Sequence, residues 1–403
     1  MAKMNENFLY LQEDYVFSRI DKEVSSFLAG KRDGRTLLYL GTGDIVYPLV
    51  ESVSDGFRQG ITEMQRDVIG YGPTEGYPFL RDKIIEVEYS QQQGLQSDEI
   101  FISDGIARDI CDIQNLFHLQ ARFGIVMPTY PAYAQAILLG GREVVPISCV
   151  EEHDFMPWPP HQNELDAVYL CSPNNPTGIA LTREVLHCWV DWARRSQTIL
   201  LFDSAYYKFI TSQDCPRTIY EIEGAKEVAI EFRSFSKSFG FSGIRLGYTV
   251  IPKLLKIFHA GGYQEINRLW RKRQDIVTNG ISYPVQRGGE SALLNSKDVE
   301  RLVQLYSCCA FQLKNALQNM GFICYGGIDS PYVWWKVPKQ DKNSWNFFYF
   351  LLQSLQIVVV PGKGFGEEGE GFVRLSGFLR RELVHLAIER LQELPMNYCS
   401  HGV

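Results

Sequence analysis

A single lysine, Lys237, lies in the stretch SFSKSFGFSGIRLG (234–247), together with four serines, three glycines and Arg245. An exposed lysine needs no particular neighbours, whereas glycines and small side chains allow a large group to approach the backbone closely. Hydroxyls and a guanidinium can bind a phosphate, and a lysine amine held in its neutral form can attack a carbonyl carbon. The stretch therefore predicts a reactive amine beside an anion-binding loop.

Three other segments carry polar residues at the point where a predicted strand ends. AVYLCSPNNPTG turns at Asn175, ILLFDSAYY ends its strand on Asp203 with Tyr206 three residues later, and FISDGIARD turns at Gly105 into a helix. Taken alone, each segment has a purely structural explanation as a turn or a helix cap. Lys237 alone is also consistent with an ordinary surface lysine.

The spacing of apolar runs predicts how these segments are arranged. From about residue 100 to 250, short β-rich runs alternate with amphipathic helical segments, which favours an α/β fold with a mainly parallel sheet. These runs are EIFIS, GIVMP, EVVPI, AVYLCSP, TILLFD, VAIEFRSFS and RLGYTVIP. In a parallel sheet the four polar segments face the same carboxyl edge, where ligands bind.

The residues expected at that edge match the requirements of pyridoxal phosphate. The cofactor needs an amine to bind it covalently, a carboxylate for its ring nitrogen, and hydroxyls, amides and a guanidinium for its phosphate. The residues that can supply these groups are Lys237, Asp203, the turn at Gly105–Ala107, Ser234, Ser236 and Arg245. The sequence therefore predicts a pyridoxal-phosphate enzyme.

The segments SPNNPTG, DSAY and SFSKSFGFSGIRLG together resemble the fold-type-I pyridoxal-phosphate aminotransferases of class I/II. The resemblance extends from about Tyr15 to the C-terminal helix, and it is greatest for the LL-diaminopimelate aminotransferases. It implies a large domain with a mainly parallel seven-stranded sheet and a smaller α+β domain. It also implies a ping-pong transfer of an amino group between an amino acid and a 2-oxo acid.

The resemblance implies a role for each matching residue. Lys237 would bind the cofactor covalently and carry the proton, Asp203 would pair with the ring nitrogen, and Arg374 would bind the substrate α-carboxylate. The residues implied to contact the cofactor are Gly105, Ile106, Ala107, Tyr130, Asn175, Asp203, Tyr206, Ser234, Ser236, Lys237, Arg245 and Tyr71. Those implied to contact the substrate are Arg374, Asn175, Gly43, Tyr15 and Asn279. Tyr71 would reach the phosphate of a neighbouring subunit, which implies a homodimer with shared active sites.

Two positions depart from the LL-diaminopimelate aminotransferases. Thr74 stands where that subfamily has a carboxylate for the distal ammonium of the substrate, and Ala107 stands where it has a lysine for the distal carboxylate. Glu75 and Arg108 lie one position away, but one residue rotates a helical side chain by about 100°. We therefore expect altered specificity toward the distal end of the substrate.

The C-terminal part of the chain has a different sequence pattern from the alternating strands and helices before it. A helical apolar stripe ends near Gly321, strand-like runs come after it at YVWWKV, IVVVPG and GFVRLSG, and a last helix is expected at RELVHLAIERLQEL. The predicted division is an N-terminal arm with part of the small domain at 1–45, a large cofactor-binding domain at 46–280, and a small domain at 281–403.

The composition excludes several other classes of protein. A net charge of −7 and the absence of a basic run disfavour nucleic-acid binding. Nine scattered cysteines without a C-x-x-C pair fit a reducing compartment, and the seven histidines show no metal-ligand spacing. No apolar run approaches membrane-spanning length, so we expect a cytoplasmic protein without a metal or a membrane partner.

Two alternatives to transamination are compatible with the sequence. The same scaffold and cofactor also serve lyases, decarboxylases and oxidases, because the residues around the cofactor choose which bond breaks. A non-catalytic descendant is disfavoured, since the lysine, the acid and the phosphate-binding arginine are all retained.

Overall fold

The computed structural model describes residues 2–11, 15–30, 34–92, 94–161, 164–341 and 343–395. The α-helices are α1 (Val16–Gly30), α2 (Glu51–Arg66), α3 (Pro78–Glu88), α4 (Ile106–Asp112), α5 (Ala132–Leu139), α6 (Arg183–Ser196), α7 (Ile266–Val277), α8 (Tyr283–Leu294), α9 (Ser296–Asn319), α10 (Ser344–Phe350) and α11 (Arg381–Leu391). The strands are β1 (Leu38–Tyr39), β2 (Ile100–Ser103), β3 (Arg122–Met127), β4 (Glu143–Ser148), β5 (Ala167–Cys171), β6 (Ile199–Asp203), β7 (Ala229–Ser234), β8 (Gly247–Val250), β9 (Lys256–His259), β10 (Gly262–Glu265), β11 (Cys324–Gly326), β12 (Tyr332–Lys336), β13 (Ile357–Val358), β14 (Val360–Pro361) and β15 (Phe372–Ser376).

A seven-stranded sheet forms the centre of the fold, in the order β2-β8-β7-β6-β5-β3-β4. Every neighbouring pair is parallel except the two pairs made by β8, which is antiparallel to β2 and to β7. Each residue of β5, β6 and β7 is buried, as expected for strands covered on both faces. The mainly parallel α/β sheet predicted from the seven β-rich runs is confirmed.

The sheet brings the polar segments to one edge. Strands β2, β5, β6 and β7 end there at Ser103, Cys171, Asp203 and Ser234. Strand β8 begins at the same edge, because it is antiparallel and its Gly247 pairs with Ser234. The loop between β7 and β8, which contains Lys237 and Arg245, therefore starts and finishes beside the other strand ends.

A second, four-stranded antiparallel sheet lies in the C-terminal part, in the order β11-β12-β15-β14. The N-terminal segment joins this part of the molecule, since Leu38 of β1 pairs with Ile357 of β13. The predicted apolar stripe lies on α9, where its members Leu302, Tyr306, Cys309, Leu313 and Leu317 are buried. The exact domain boundaries remain a prediction.

Two close contacts attach the two parts of the chain to each other. Helix α8 packs against α2, and a Cβ on Gly56 or Gly60 would overlap atoms of α8. Gly178, after β5, lies against the backbone of Tyr332 in β12. No helix in the described part of the chain is both long enough and apolar enough to cross a membrane.

Candidate active site

A cavity of about 480 Å³ opens at the carboxyl edge of the central sheet. Both parts of the chain contribute to its wall, because the loops after β5, β6 and β7 face the small sheet and the segment around Gly43. The predicted site residues that line it are Tyr15, Gly43, Ile106, Ala107, Tyr130, Asn175, Asp203, Tyr206, Ser234, Ser236, Lys237, Arg245 and Arg374. Tertiary folding thus collects residues that are spread over 360 positions of sequence, from 15 to 374.

Lys237 lies three residues after the end of β7 and extends across the cavity. Its Nζ donates a hydrogen bond to the carbonyl oxygen of Gly43 and lies 3.9 Å from Oδ1 of Asp44. Burial lowers the pKa of the amine to about 8; the positive charges of Arg374 and Arg245 act in the same direction, and Asp44 opposes them. The amine is therefore neutral more readily than an ordinary lysine, as a nucleophile requires.

Asp203 ends β6 and is buried at the floor of the cavity, with 5% of its surface exposed. Its Oδ2 accepts a hydrogen bond of 2.6 Å from the hydroxyl of Tyr133, and its Oδ1 accepts one of 2.9 Å from the amide of Ala205. Burial raises the pKa of this carboxyl to about 6, although both hydrogen bonds lower it. Since both donors are neutral, the site favours a ligand that brings a positive charge to Asp203.

Several tyrosines line the wall between the sheet and the small domain. The hydroxyl groups of Tyr206 and Tyr332 are hydrogen-bonded at 2.8 Å, and burial raises the pKa of Tyr206 well above its usual value. The ring of Tyr130 lies 5.8 Å from that of Tyr133 in an edge-on arrangement. Burial also raises the pKa of Tyr15, with Tyr130 as its hydrogen-bond partner. The phenols of Tyr206 and Tyr15 therefore stay neutral across the physiological pH range.

A corner of the cavity that is suited to an anion lies between the β7–β8 loop and the first turn of α4. Nη1 of Arg245 donates to the hydroxyl oxygen of Ser236 at 3.2 Å, and the amide of Ser236 donates to the hydroxyl of Ser234 at 3.1 Å. Arg245 itself has a left-handed backbone, with φ of 75°. Gly105 has φ of 109°, and a Cβ there would overlap the Arg245 guanidinium. Glycine is thus required for this close approach.

Arg374, on β15, forms the opposite wall, and 1% of its surface is exposed. Its Nη1 donates to Oδ1 of Asn175 at 2.5 Å, and its Nη2 donates to the carbonyl oxygen of Gly41 at 2.8 Å. The guanidinium carbon lies 4.4 Å from the ring centre of Tyr332. Within the described residues Nε has no hydrogen-bond partner. A buried guanidinium held by neutral groups is suited to a carboxylate ligand.

Three predicted site residues are not in the lining of this cavity: Gly105 lies at its border, against Arg245, whereas Tyr71 and Asn279 lie away from it. Tyr71, with 89% of its surface exposed, and Asn279 do not line it. Their two segments contact each other, because a Cβ on Gly280 would lie only 2.9 Å from the carbonyl oxygens of Gly72 and Pro73. Tyr71 and Asn279 are both exposed and therefore share one surface of the molecule.

The two residues considered as replacements for the missing distal charges are already engaged within the chain. Glu75 accepts a hydrogen bond of 2.6 Å from Arg271 and lies 3.8 Å from Arg81. Arg108 lies 3.4 Å from Asp112 and 4.0 Å from Asp104. Neither side chain lines the cavity.

Sequence reasoning missed several residues that line the cavity, namely Phe17, Asp44, Ile110, Tyr133, Cys171, Ala205, Ser242 and Tyr332. Tyr133 comes three residues after Tyr130, in the first turn of α5, and this closeness in sequence to a predicted site residue could have identified it. No local signal marks Tyr332, since it lies within an apolar strand whose partner residues are distant in sequence.

Comparison with known proteins places the chain in a family. The profile of the family described as aminotransferase class I and II matches residues 35–391. The LL-diaminopimelate aminotransferase of Desulforapulum autotrophicum is 41% identical over 98% of this chain and 99% of its own length. The enzyme of the same name from Parabacteroides distasonis is also 41% identical, with the same coverage.

Solved structures agree with these sequence relatives. The L,L-diaminopimelate aminotransferase from Chlamydomonas reinhardtii superposes with a TM-score of 0.89 and 36% identity, covering 97% of this chain and 98% of that one. An aspartate aminotransferase from Thermus thermophilus shares the fold, with a TM-score of 0.84 at 20% identity, over 97% of this chain and 99% of that one. With the lysine, the buried carboxylate and the two arginines around one cavity, and with these relatives, the chain belongs to the class I and II aminotransferases.

Proposed function

We propose that the protein transfers an amino group between an amino acid and a 2-oxo acid, with pyridoxal 5'-phosphate as its cofactor. The observation that carries the proposal is the convergence of Lys237, Asp203, Arg245 and Arg374 on one cavity. The family, shown by relatives at about 40% identity over the full length, supports transamination over the lyase, decarboxylase and oxidase alternatives.

The described residues fit the proposed cofactor. The buried Asp203 is hydrogen-bonded only to neutral donors, and a protonated ring nitrogen would supply the missing positive charge. Ser234, Ser236 and Arg245, with the amides of Ile106 and Ala107, would hold the phosphate at the corner that Gly105 keeps open. Tyr130 would pack on the ring, and Asn175 and Tyr206 would donate to its hydroxyl. When bound, pyridoxal phosphate stabilises the negative charge that develops at the substrate Cα.

Lys237 would move the proton during the reaction. Its amine binds the cofactor at rest, accepts the proton from the substrate Cα as a general base, and returns a proton as a general acid. A pKa of about 8 suits both the uptake and the return of the proton near neutral pH, because the protonated and neutral forms of the amine are then both accessible.

Arg374 would orient the substrate by its α-carboxylate. Asn175 and the carbonyl oxygen of Gly41 fix the guanidinium before substrate arrives, so little side-chain entropy is lost on binding. Gly43 borders the same position, since a Cβ there would lie 3.4 Å from Nη2 of Arg374. Tyr15 would close the aromatic side of the cavity.

The exposed surface formed by Tyr71 and Asn279 would face a second copy of the chain. Val68 and Ile276, with 102% and 84% of their surfaces exposed, lie on the same segments and give this surface an apolar character. Large exposed apolar side chains at one surface favour a protein interface. In the homodimer we propose, Tyr71 and Asn279 would complete the cavity of the partner.

The donor would be an amino acid of the LL-diaminopimelate type or a relative of it with a different distal end. Two features support a change at the distal end: Thr74 and Ala107 carry no charge, and Glu75 and Arg108 are held in ion pairs elsewhere. An unpaired buried charge costs about 3 kcal/mol or more. Diaminopimelate would therefore be used less selectively than by an enzyme with both distal charges.

The proposed setting is the cytoplasm, with small-molecule substrates and without a nucleic-acid or membrane partner. The eight described cysteines are all free thiols, which is typical of proteins in a reducing compartment. The acidic net charge of −7 supports the absence of nucleic-acid binding.

Two experiments test the proposed function. Borohydride reduction of the freshly isolated, cofactor-loaded protein, followed by peptide mass spectrometry, should place the reduced cofactor on Lys237; an unmodified Lys237 would overturn the cofactor assignment. A donor screen that monitors the absorbance of the cofactor should then show its conversion to pyridoxamine phosphate without oxygen uptake. LL-diaminopimelate with 2-oxoglutarate is one arm of that screen, and glutamate is the product to measure.

A further inference from the structure

The segment Gly41–Asp44 connects the two charged ends of the cavity. Its first carbonyl oxygen, on Gly41, accepts a hydrogen bond of 2.8 Å from Arg374. Its third, on Gly43, accepts one from the Nζ of Lys237. The side chain of Asp44 comes directly after, and its Oδ1 lies 3.9 Å from the same Nζ. This four-residue segment thus contacts the proposed substrate arginine through Gly41 and the proposed reactive lysine through Gly43 and Asp44.

Asp44 is held toward Lys237 from two sides. Its own side chain bonds to the hydroxyl of Ser242, in the loop that carries Lys237 and Arg245, and to the next amide of the chain, Ile45 N, at 2.8 Å. Lys237 and Arg245 contribute positive charge to its surroundings, and the phenol of Tyr306 also interacts electrostatically with it. Burial acts to raise the pKa of Asp44, but the hydrogen bonds and the positive charges together outweigh it and lower the pKa, so Asp44 is a carboxylate at neutral pH.

The other groups that face the Lys237 amine are cationic or aromatic. Arg374 and Arg245 repel its protonated form, and the ring of Phe378 lies 5.9 Å from Nζ. Among the charged groups of the described residues that act on the amine, Asp44 alone favours the ammonium form. Its carboxylate is 61% exposed, so water screens part of this attraction, whereas the lysine side chain is only 19% exposed.

We propose that Asp44 is a positioning residue for the free amine of Lys237: it holds the ammonium at the mouth of the cavity and sets the pH at which the amine becomes neutral. The inference rests on the proposed role of Lys237 as the reactive amine. When Lys237 is released from the cofactor during turnover, its ammonium can contact the Gly43 carbonyl oxygen and the Asp44 carboxylate. Through Gly41, the same segment is tied to the arginine that binds the substrate carboxylate.

The test measures the titration of Lys237 in the cofactor-free protein, so it does not depend on activity. Trace acetylation with acetic anhydride over pH 6–10, read by peptide mass spectrometry, reports the neutral fraction of the amine. Asp44→Asn should raise the neutral fraction at pH 7 by about two- to four-fold, because the attraction of a partly exposed carboxylate for the ammonium is removed. Asp44→Glu retains the carboxylate and should titrate closer to the native midpoint.

Asp55→Asn is the matched control, since Asp55 is 63% exposed, forms an ion pair with Arg58 on α2 and does not line the cavity. It should leave the titration of Lys237 unchanged. If Asp44→Asn does not fold, Asp44→Ser removes the same charge with a smaller side chain. A native midpoint in whichever of these variants folds overturns the proposal. A shifted midpoint in a protein that forms no cofactor adduct at Lys237 would instead refute the proposed function and leave the role of Asp44 intact.

Discussion

The hydroxyl of Tyr133 donates a 2.6 Å hydrogen bond to Oδ2 of Asp203 at the floor of the cavity. The two residues come from α5 and the end of β6, and both are buried. The ring of Tyr133 is in turn stacked on Tyr169 of β5, with ring centres 4.9 Å apart. Asp203 is therefore oriented by a phenol that is itself fixed by the core of the sheet.

Removing that hydrogen bond should weaken cofactor binding. In Tyr133→Phe the pKa of Asp203 rises further above about 6, because a bond that lowers it is lost. A hydrogen bond to a charged group contributes about 1.5–3 kcal/mol, so we expect roughly 10- to 100-fold weaker binding of pyridoxal phosphate at pH 7. Fluorescence titration of the cofactor-free protein measures this, and the loss should shrink as the pH rises.

Tyr169→Phe is the control for this prediction, because Tyr169 stacks on Tyr133 but donates its hydroxyl to the carbonyl oxygen of Ile110. Equal losses of cofactor affinity in both variants would indicate a general packing defect and would contradict a specific effect on Asp203.

Asp203 should lower the free energy of unfolding of the cofactor-free protein at pH values above the pKa of its carboxyl. Its pKa in the folded protein, about 6, is higher than the ordinary value of 3.8. The protonated form therefore stabilises the fold below about pH 4, and this contribution is lost as the pH rises through 6. Relative to the native chain, Asp203→Asn should gain on the order of 2 kcal/mol of unfolding free energy between pH 4 and pH 8.

Urea unfolding of both cofactor-free proteins at the two pH values measures this difference. The same variant should lose transaminase activity, since an amide cannot balance a protonated ring nitrogen. A stability difference that is the same at pH 4 and pH 8 would contradict the raised pKa.

Gly105→Ala should disturb the corner between Gly105 and Arg245 that we propose to hold the cofactor phosphate. The new methyl group would overlap the Arg245 guanidinium, and the φ of 109° is unfavourable for alanine. A residue in such a conformation costs about 1–3 kcal/mol, so cofactor affinity should fall by roughly ten-fold or more. Gly243→Ala, in the loop of Arg245 but with open space where the new Cβ would lie, should bind the cofactor normally. Equal affinity in the two variants would contradict the role of Gly105.

Shared active sites can be tested by mixing two inactive proteins. Lys237→Ala lacks the reactive amine, and Tyr71→Ala lacks the side chain that we place in the cavity of the partner. A mixed dimer would contain one intact site, and random reassortment should restore about a quarter of the native activity. Each variant mixed with itself is the control, and no recovery after verified subunit exchange would argue that Tyr71 acts within its own subunit.

The specificity of the enzyme for the distal end of its substrate should change when a charge is placed on the cavity wall. Ala107 lines the cavity, so Ala107→Lys adds a cation that can pair with a distal carboxylate. We expect kcat/KM for LL-diaminopimelate to rise about ten-fold relative to a donor with a neutral side chain, as for one charge-assisted contact. Arg108→Lys is the control, because Arg108 is engaged with Asp112 outside the cavity. An unchanged ratio in Ala107→Lys would show that the distal carboxylate binds elsewhere.

The sequence by itself determined the strands and the polar turns at their ends. Buried β-rich runs that alternate with helices form a parallel sheet, and the carboxyl ends of parallel strands meet at one edge. Asp203 and Lys237 could therefore be expected at the same edge before any contact was known. The small side chains around Lys237 likewise indicated a bound anion, because that pattern is local.

Only the tertiary structure decided which side chains touch. The pairs Tyr133–Asp203, Tyr206–Tyr332 and Asn175–Arg374 are separated by 70, 126 and 199 positions. Such contacts depend on how the small domain and the helices pack against the sheet, which no local periodicity specifies. The placement of Asp44 beside Lys237 has the same origin, since the segment that carries it is held by Arg374 from the other end of the chain.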